Sequence, residues 1–274
     1  MSQLLPQKNL FYKNRSFFYK TKYFFSKNKI QKNIPQIYAS WAKTKKDIKE
    51  LQKLRYKVFA KEMGAKIPGR IDKDIYDDFC EHLIIRDAFN GKVVGTYRVL
   101  TQENKRKIGC FYTESEFKLN KSISDNESVV ELGRACVHKD YRNGAVIISL
   151  WSELGKFMKA NHYEKMIGCS SISLLDGGQY ASDVYNYLSK QNKINYDYGI
   201  EPKRPFDVLK YSNDVLKYSK KQNVQLPSLL KGYMRIGAEV CGNPAYDENF
   251  RTADFFTLFD INKINEKYAK RFLK

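Results

Sequence analysis

Residues 129–151 read Val-Val-Glu-Leu-Gly-Arg-Ala-Cys-Val-His-Lys-Asp-Tyr-Arg-Asn-Gly-Ala-Val-Ile-Ile-Ser-Leu-Trp. An apolar run carrying Glu131 and Arg134 gives way to a short basic turn. Helical apolar spacing follows, at Val146, Ile147, Leu150, Trp151, Leu154, Phe157 and Met158. A strand that feeds a turn at a helix N-terminus gathers unpaired backbone N–H groups at the positive end of the helix dipole. That geometry suits a phosphate-bearing cofactor arm, and an ionisable pair on the adjoining strand suits proton transfer. The pattern points to group transfer onto an amine.

Working outward, residues 37–41 read as a first strand, and 46–62 have helical spacing through Ile48, Leu51, Leu54, Tyr56, Val58 and Phe59. Two short apolar strands, 83–87 and 93–100, flank Asn90-Gly91, a strong hairpin signal. Beyond the helix at 146–161, residues 165–172 form another strand. Residues 176–227 are rich in Tyr, Asn and Lys, carry two expected helices, and read as an insertion or lid. A helix over 229–240, a strand over 254–260 and a basic C-terminal helix complete the chain. No internal repeat is visible. This order predicts an α/β (α+β) fold, a mixed sheet with helices on both faces.

The 274 residues can bury a sizeable core, and the net charge is +19. Such a charge admits nucleic acid, an anionic membrane surface or an acidic protein as partner. The first 46 residues contain no Asp or Glu. Within residues 1–36, Lys and Asn alternate with Phe and Tyr, so this segment is either a membrane-interface anchor or a solvated basic tail. A cleaved presequence is a third option. Five dispersed cysteines (Cys80, Cys110, Cys136, Cys169, Cys241) with no metal spacing read as free thiols in a reducing compartment, and no metal is expected. No run approaches a bilayer span. The expected location is cytoplasmic, with peripheral docking at the inner face of the cytoplasmic membrane as a further expectation.

Five stretches carry a family resemblance. Leu54-Arg55-Tyr56-Lys57-Val58-Phe59 resembles an Arg-x-x-x-Phe helix, and Asp72-x-Asp74-x-x-Asp77-Asp78-Phe79-Cys80-Glu81-His82-Leu83 an acidic loop before the second strand. Gly95-Thr96-Tyr97-Arg98-Val99-Leu100 resembles a Gly-x-x-Arg-Leu strand, and Val130-Glu131-Leu132-Gly133-Arg134 a Glu-x-x-Arg strand. The fifth runs from Leu229-Leu230-Lys231-Gly232-Tyr233-Met234-Arg235-Ile236-Gly237-Ala238 through Cys241-Gly242 to Ala253-Asp254-Phe255-Phe256. Together they resemble the amino-acid N-acyltransferases of ornithine-lipid synthesis, hemolysin-like members of the GNAT superfamily related to the acyl-homoserine-lactone autoinducer synthases. The resemblance covers 37–274. It implies a GNAT-like, mostly antiparallel twisted sheet with a helical insertion at 176–227.

The resemblance further implies transfer of a 3-hydroxy fatty acyl group from acyl carrier protein to an amino acid's α-amine, ornithine above others, giving a lyso-ornithine lipid. The rivals are an acyl-homoserine-lactone-type synthase, an acyl-CoA-dependent N-acetyltransferase and, outside enzymes, a basic nucleic-acid-binding protein. No nucleic-acid recognition motif supports the last. One departure lies in the turn: Arg142-Asn143-Gly144-Ala145-Val146-Ile147 has Ala and Ile where acetyltransferases of this fold carry the glycines that cradle a coenzyme A pyrophosphate. Larger side chains crowd a diphosphate there, which favours the single phosphate of the carrier protein's acyl-phosphopantetheine over acyl-CoA. No permanently bound cofactor is expected.

Acyl transfer needs a neutral amine and a stabilised oxyanion. Glu131 is the candidate base; the bland alternative is a salt bridge to Arg134 that staples the strand. Arg98 and Arg134 suit the acceptor's carboxylate, the acidic loop or the carrier's phosphate. Asp74 and Asp77 either receive the acceptor's amine or shape the site by pairing with Arg55 and Arg98, with Phe59 as support or plain core. Lys139, Arg142, Asn143 and Gly144 are candidates for the phosphopantetheine and its carrier. Lys156 and Lys159 could steer an acidic carrier or form an ordinary solvated helix face. A nucleophilic Cys136 with His138 is a minor rival, because residues two apart on a strand lie about 7 Å apart. His82 and His162 carry no constellation.

Overall fold

The structure, a computed structural model, describes residues 36–211, 224–265 and 268. The expectations for the basic N-terminal segment, for 212–223 of the expected insertion and for the basic C-terminal helix fall outside these residues. Eighteen elements follow in chain order. The first half holds β1 (Ile37–Trp41), α1 (Lys45–Tyr56), β2 (Glu81–Asp87), β3 (Val93–Thr101), α2 (Gln102–Ile108), β4 (Phe117–Lys118), α3 (Lys121–Ser124) and β5 (Val129–Val137). Next come α4 (Ala145–Ala160), β6 (Lys165–Ser173), α5 (Gln179–Lys190), β7 (Ile194–Asn195), β8 (Glu201–Pro202) and α6 (Val208–Tyr211). The last are α7 (Ser228–Ile236), β9 (Glu239–Cys241), β10 (Ala245–Asp247) and β11 (Thr252–Asp260). Among these residues no helix is long and apolar enough to cross a membrane.

One sheet runs β1-β2-β3-β5-β6-β11-β9-β7, with β10 on β11. Its pairings are antiparallel except β5–β6 and β7–β9, as the expected mixed, mostly antiparallel sheet requires. Strand β3 is buried at every position, which suits its near-continuous Val-Val-Gly-Thr-Tyr-Arg-Val-Leu-Thr sequence at the centre of a covered sheet. Alternation divides the core. Leu83, Ile85, Tyr97 and Val99 face α4 through Val146, Leu150, Leu154 and Met158, whereas Ile84 and Val93 face α1 through Leu51, Leu54 and Val58. A Cβ on Gly95 would overlap Val146, so this glycine lets α4 settle close to β3.

Helix α1 starts at a capping box: Asp47 N–H donates to Thr44 Oγ1 and Thr44 N–H to Asp47 Oδ2. The helical spacing read over 46–62 continues past α1 as a wider π-type turn, Lys57–Glu62, which carries Phe59. The helix expected over 229–240 is shorter. It ends at Ile236 because Gly237 adopts φ 110° and terminates it, and β9 follows.

Two irregularities position the site. In β5 an extra residue separates the pairs Thr96↔Cys136 and Arg98↔Gly133, and Arg134 at this bulge adopts φ 51°, unusual for a residue with a Cβ. The β5–β6 ladder spans only Val129–Glu131 against Lys165–Ile167. Beyond it the strands still touch where Gly168 meets Leu132 O, a contact that leaves no room for a Cβ, and then they splay.

Candidate active site

Three arginines from three elements meet the acidic loop on the α1 face of the sheet. Arg55 of α1 is fully buried and donates from Nε to Asp72 Oδ2 (2.6 Å) and from Nη1 to Asp77 Oδ1 (2.9 Å). Arg98 of β3 donates from Nη1 to Asp74 Oδ1 (2.5 Å) and Asp77 Oδ1 (3.0 Å). Arg134 donates from Nη2 to Asp74 Oδ2 (2.9 Å), and its Nε lies 3.3 Å from Asp72 Oδ2. The left-handed backbone at Arg134 aims this side chain at the loop. Burial opposes the charge on Asp77, but Arg55 and Arg98 outweigh it and hold the carboxyl at about 2. Asp74 is likewise lowered: burial acts against it, and Arg98 and Arg134 prevail.

The sequence therefore brings Arg55, Asp74, Asp77, Arg98 and Arg134 into one network. Asp72 belongs to it as well; its place in the same Asp-x-Asp loop was the available signal. Phe59 is buried in the α1 core and packs edge-on against Phe250, with ring centroids 5.8 Å apart. Phe250 in turn lies 4.4 Å under the Arg134 guanidinium, and Tyr112 lies 4.8 Å from it. Neither Phe250 nor Tyr112 belongs to a recognisable sequence pattern.

Glu131 and Arg134 do not pair with each other, so the alternative of a salt bridge stapling the strand is corrected. The bulge turns Arg134 to the acidic loop. Glu131 instead closes the turn Tyr112–Ser115, accepting from Tyr112 N–H at Oε2 (2.7 Å) and from Thr113 N–H at Oε1 (2.6 Å). It is 4% exposed, and burial raises its pKa despite those two donors and Arg98. Each oxygen keeps a second lone pair for another partner.

The phosphate-loop candidates lie at the start of α4. Gly144 caps the helix at φ 93°, and Asn143 Oδ1 accepts from Ala145 N–H. Arg142 is engaged elsewhere: Nη2 donates to Glu62 Oε2 (2.6 Å) and Nε to Val137 O (3.0 Å). Lys139 is exposed beside it. The pair Cys136 and His138 finds no chemistry. Burial pushes the Cys136 thiol up to about 12, and His138 Nε2 lies 3.0 Å from Lys92 Nζ. His82 Nε2–H donates to Asp77 O (2.9 Å) and helps hold the acidic loop.

On the opposite, α4 face lies a mostly apolar cavity, open at one side. Tyr97, Leu132, Trp151, Leu154, Met166, Tyr233, Ile236 and Phe259 line it. Gly232 of α7 allows its roof, since a Cβ there would stand 2.5 Å from the Trp151 ring. The lining also includes Ile167 and Cys169, whose neighbours Phe256 and Leu258 belong to the other face. The cavity thus reaches the sheet at the β5–β6 splay, across which the arginines lie. Such a slot can present an apolar chain from one face to an acceptor on the other.

Residues 54–152 match the acetyltransferase (GNAT) domain family. An L-ornithine N(alpha)-acyltransferase of Rhizobium meliloti (strain 1021) is 30% identical over 243 residues, covering 83% of this chain and 81% of that protein. One of Rhodobacter capsulatus is 28% identical over 244 residues, covering 84% and 92%. A solved CoA-dependent acyl-homoserine lactone synthase, BjaI, shares the fold at a TM-score of 0.50 and 14% identity, covering 86% of each chain. With the GNAT domain, the mixed sheet and this extent of likeness together, the chain is an acyltransferase and belongs to the family of L-ornithine N(alpha)-acyltransferases.

Proposed function

We propose that this chain transfers a long, 3-hydroxylated fatty acyl group from acyl carrier protein to the α-amine of ornithine, giving a lyso-ornithine lipid. The observation that carries the reading is the apolar cavity on the α4 face, which is lined by β5 and β6 residues where their pairing ends, across the sheet from the buried arginine network. The acyl chain lies in the cavity, lined by Leu132, Leu154, Met166 and Phe259, with its thioester carbonyl at the splay. The acceptor lies on the α1 face with its carboxylate toward Arg134 and Arg98. Glu131 takes a proton from the acceptor's ammonium through a lone pair that the Tyr112 and Thr113 amides leave open. The freed amine attacks the carbonyl, the C–N bond forms, the C–S bond breaks, and the pantetheine thiol leaves with a proton.

Two features support a carrier-protein donor. Ala145 and Ile147 narrow the α4 N-terminus to a site for one phosphate. Lys139 places positive charge near it, which suits an acidic carrier. A hydrophobic product gives the basic, aromatic segment 1–36 a purpose, docking at an anionic membrane surface where the lyso-lipid belongs. The test incubates the full chain with 3-hydroxyacyl carrier protein, or with the matching acyl-CoA, and ornithine. Mass spectrometry is expected to find N-acyl-ornithine, formed faster from the carrier. No amide product with any amino acid would overturn the reading, and equal rates from both donors would remove the carrier.

A further inference from the structure

Beside the arginine network, a second group of ionisable side chains converges on the same face. Glu116 follows the Tyr112–Ser115 turn, Cys169 lies on β6 and Asp254 on β11. Their ligating atoms all lie within 4.8 Å of one another, with Cys169 Sγ 3.6 Å from Glu116 Oε2. Asp254 is 3% exposed, and its Oδ1 and Glu116 Oε1 are buried with no hydrogen-bond partner. Among the described residues neither carboxylate forms an ion pair. A further acidic group, Asp247 on the neighbouring strand β10, acts on both carboxyl groups.

Two buried carboxylates facing each other without a cation are unfavourable, because desolvation and repulsion both act against the charged forms. Burial first, then Asp254 and Asp247, raises the Glu116 pKa well above its ordinary value, and burial raises Asp254. Both effects favour a shared proton or a positively charged guest between the two carboxyl groups. The guest's surroundings are defined. Tyr112 OH lies 3.5 Å from Asp247 Oδ2, and the same ring lies 4.8 Å from the Arg134 guanidinium. The acidic pocket and the arginine network thus share one wall. Cys169 also borders the cavity at the splay.

We propose that Glu116 and Asp254 receive the side-chain ammonium of the acceptor, so that this pocket selects a dibasic amino acid while the neighbouring arginines take its carboxylate. The inference rests on the reading of the chain as an amino-acid N-acyltransferase. An ammonium offers three donors and matches the open oxygens of the pair. A divalent metal fits less well, since its third ligand would be a thiol that burial keeps protonated.

The test compares ornithine with norvaline, the same carbon skeleton lacking the δ-amine, using the full chain and one acyl donor. Wild type is expected to favour ornithine at least roughly tenfold in kcat/KM. Glu116→Gln and Asp254→Asn should each shrink the ornithine-to-norvaline ratio roughly 10- to 100-fold by raising the ornithine KM, the worth of a hydrogen-bonded charge. Equal use of the two acceptors by wild type overturns the pocket and leaves the acyltransferase reading intact. So does an equal loss on both acceptors in the variants, or loss of a folded melting transition in both, which would make the carboxylates scaffold. Activity abolished by a chelator and restored by zinc would replace the ammonium with a metal. Absence of any acylated amino acid would fail the parent reading instead.

Discussion

Replacing Glu131 by glutamine separates two roles that the structure superimposes on one carboxylate. Glu131 accepts from two backbone N–H groups, at 2.7 and 2.6 Å. Glutamine keeps one acceptor and sets an NH₂ against the other N–H. Two charge-assisted bonds worth about 1.5–3 kcal/mol each become one neutral bond worth about 1 kcal/mol and one donor facing a donor. Relief from burying a charge offsets part of this, leaving a net loss of about 1–3 kcal/mol. At roughly 2–4 °C per kcal/mol for a unit of this size, Tm should fall by about 3–10 °C. If Glu131 also accepts the acceptor's proton, kcat/KM should fall roughly 10²–10⁴-fold. Its acidic limb should vanish too, a limb set above the ordinary glutamate value because burial raises this group. The control is Glu114→Gln, which loosens the same turn, because Glu114 Oε2 accepts from Phe111 N–H at 2.7 Å. Steady-state rates from pH 5 to 9 and melting curves on both variants decide the matter. If rate falls only in step with Tm in both variants and the Glu131→Gln profile keeps its acidic limb, Glu131 is a positioning residue and no base.

Arg55→Ala removes from buried Asp72 and Asp77 one of the two guanidiniums that each faces and should cost about 3–5 kcal/mol in denaturant unfolding. Because Asp77 is depressed to about 2, wild type should lose stability as pH falls from the ordinary 3.8 toward that value. The Arg55 variant should show a smaller acid-side loss, with Arg98 still holding Asp77 down; an undiminished loss would detach the effect from this pair. Gly168→Ala forces a Cβ onto the backbone oxygen of Leu132 at the start of the splay, costing about 1–3 kcal/mol by melting and most of the turnover. Gly232→Ala pushes the Trp151 ring toward the cavity and should shift acyl preference to shorter chains, read by donor competition, with the acceptor preference unaltered. Glu116 and Asp254 have raised pKa values, so their folded forms hold protons more tightly and stability falls as pH rises through the interval above their ordinary values. Glu116→Gln and Asp254→Asn should flatten that fall and raise Tm at neutral pH.

The sequence was legible where local pattern and tertiary role agree. The β2–β3 hairpin and the β5–α4–β6 unit each bury a face through their own periodicity, so spacing alone locates them. Charged residues inside apolar strands, Arg98 and Arg134, marked the site for the same reason. Their partners were less legible. Glu131 stands three residues from Arg134, but the extra residue at the bulge and the left-handed turn of Arg134 send the two side chains to different neighbours, and no glycine signals that turn. The strands β7, β9 and β10 have two or three residues each and carry no period of their own. Glu116 and Asp254 come together only through the β6–β11 register and the Tyr112–Ser115 turn. The available hint was an aspartate in a strand that otherwise reads Phe-Phe-Thr-Leu-Phe, a residue type strands disfavour.

The splay makes two recognition problems independent. On the α4 face, helices α4 and α7 meet through Trp151 and Tyr233, so the size of the apolar space depends on how closely Gly232 lets them approach. On the α1 face, the proposed recognition is electrostatic, through guanidiniums that the acidic loop fixes and through the Glu116 and Asp254 carboxyl groups. Tyr97 and Arg98 are adjacent in β3 and point to opposite faces, one to the cavity and one to the network. Among the described residues, the β5–β6 ladder ends past Glu131 and Ile167, between the two faces. A change in acyl length therefore need not disturb the acceptor, and a change of acceptor need not disturb the chain. In the proposed reaction the bond between them forms at this splay.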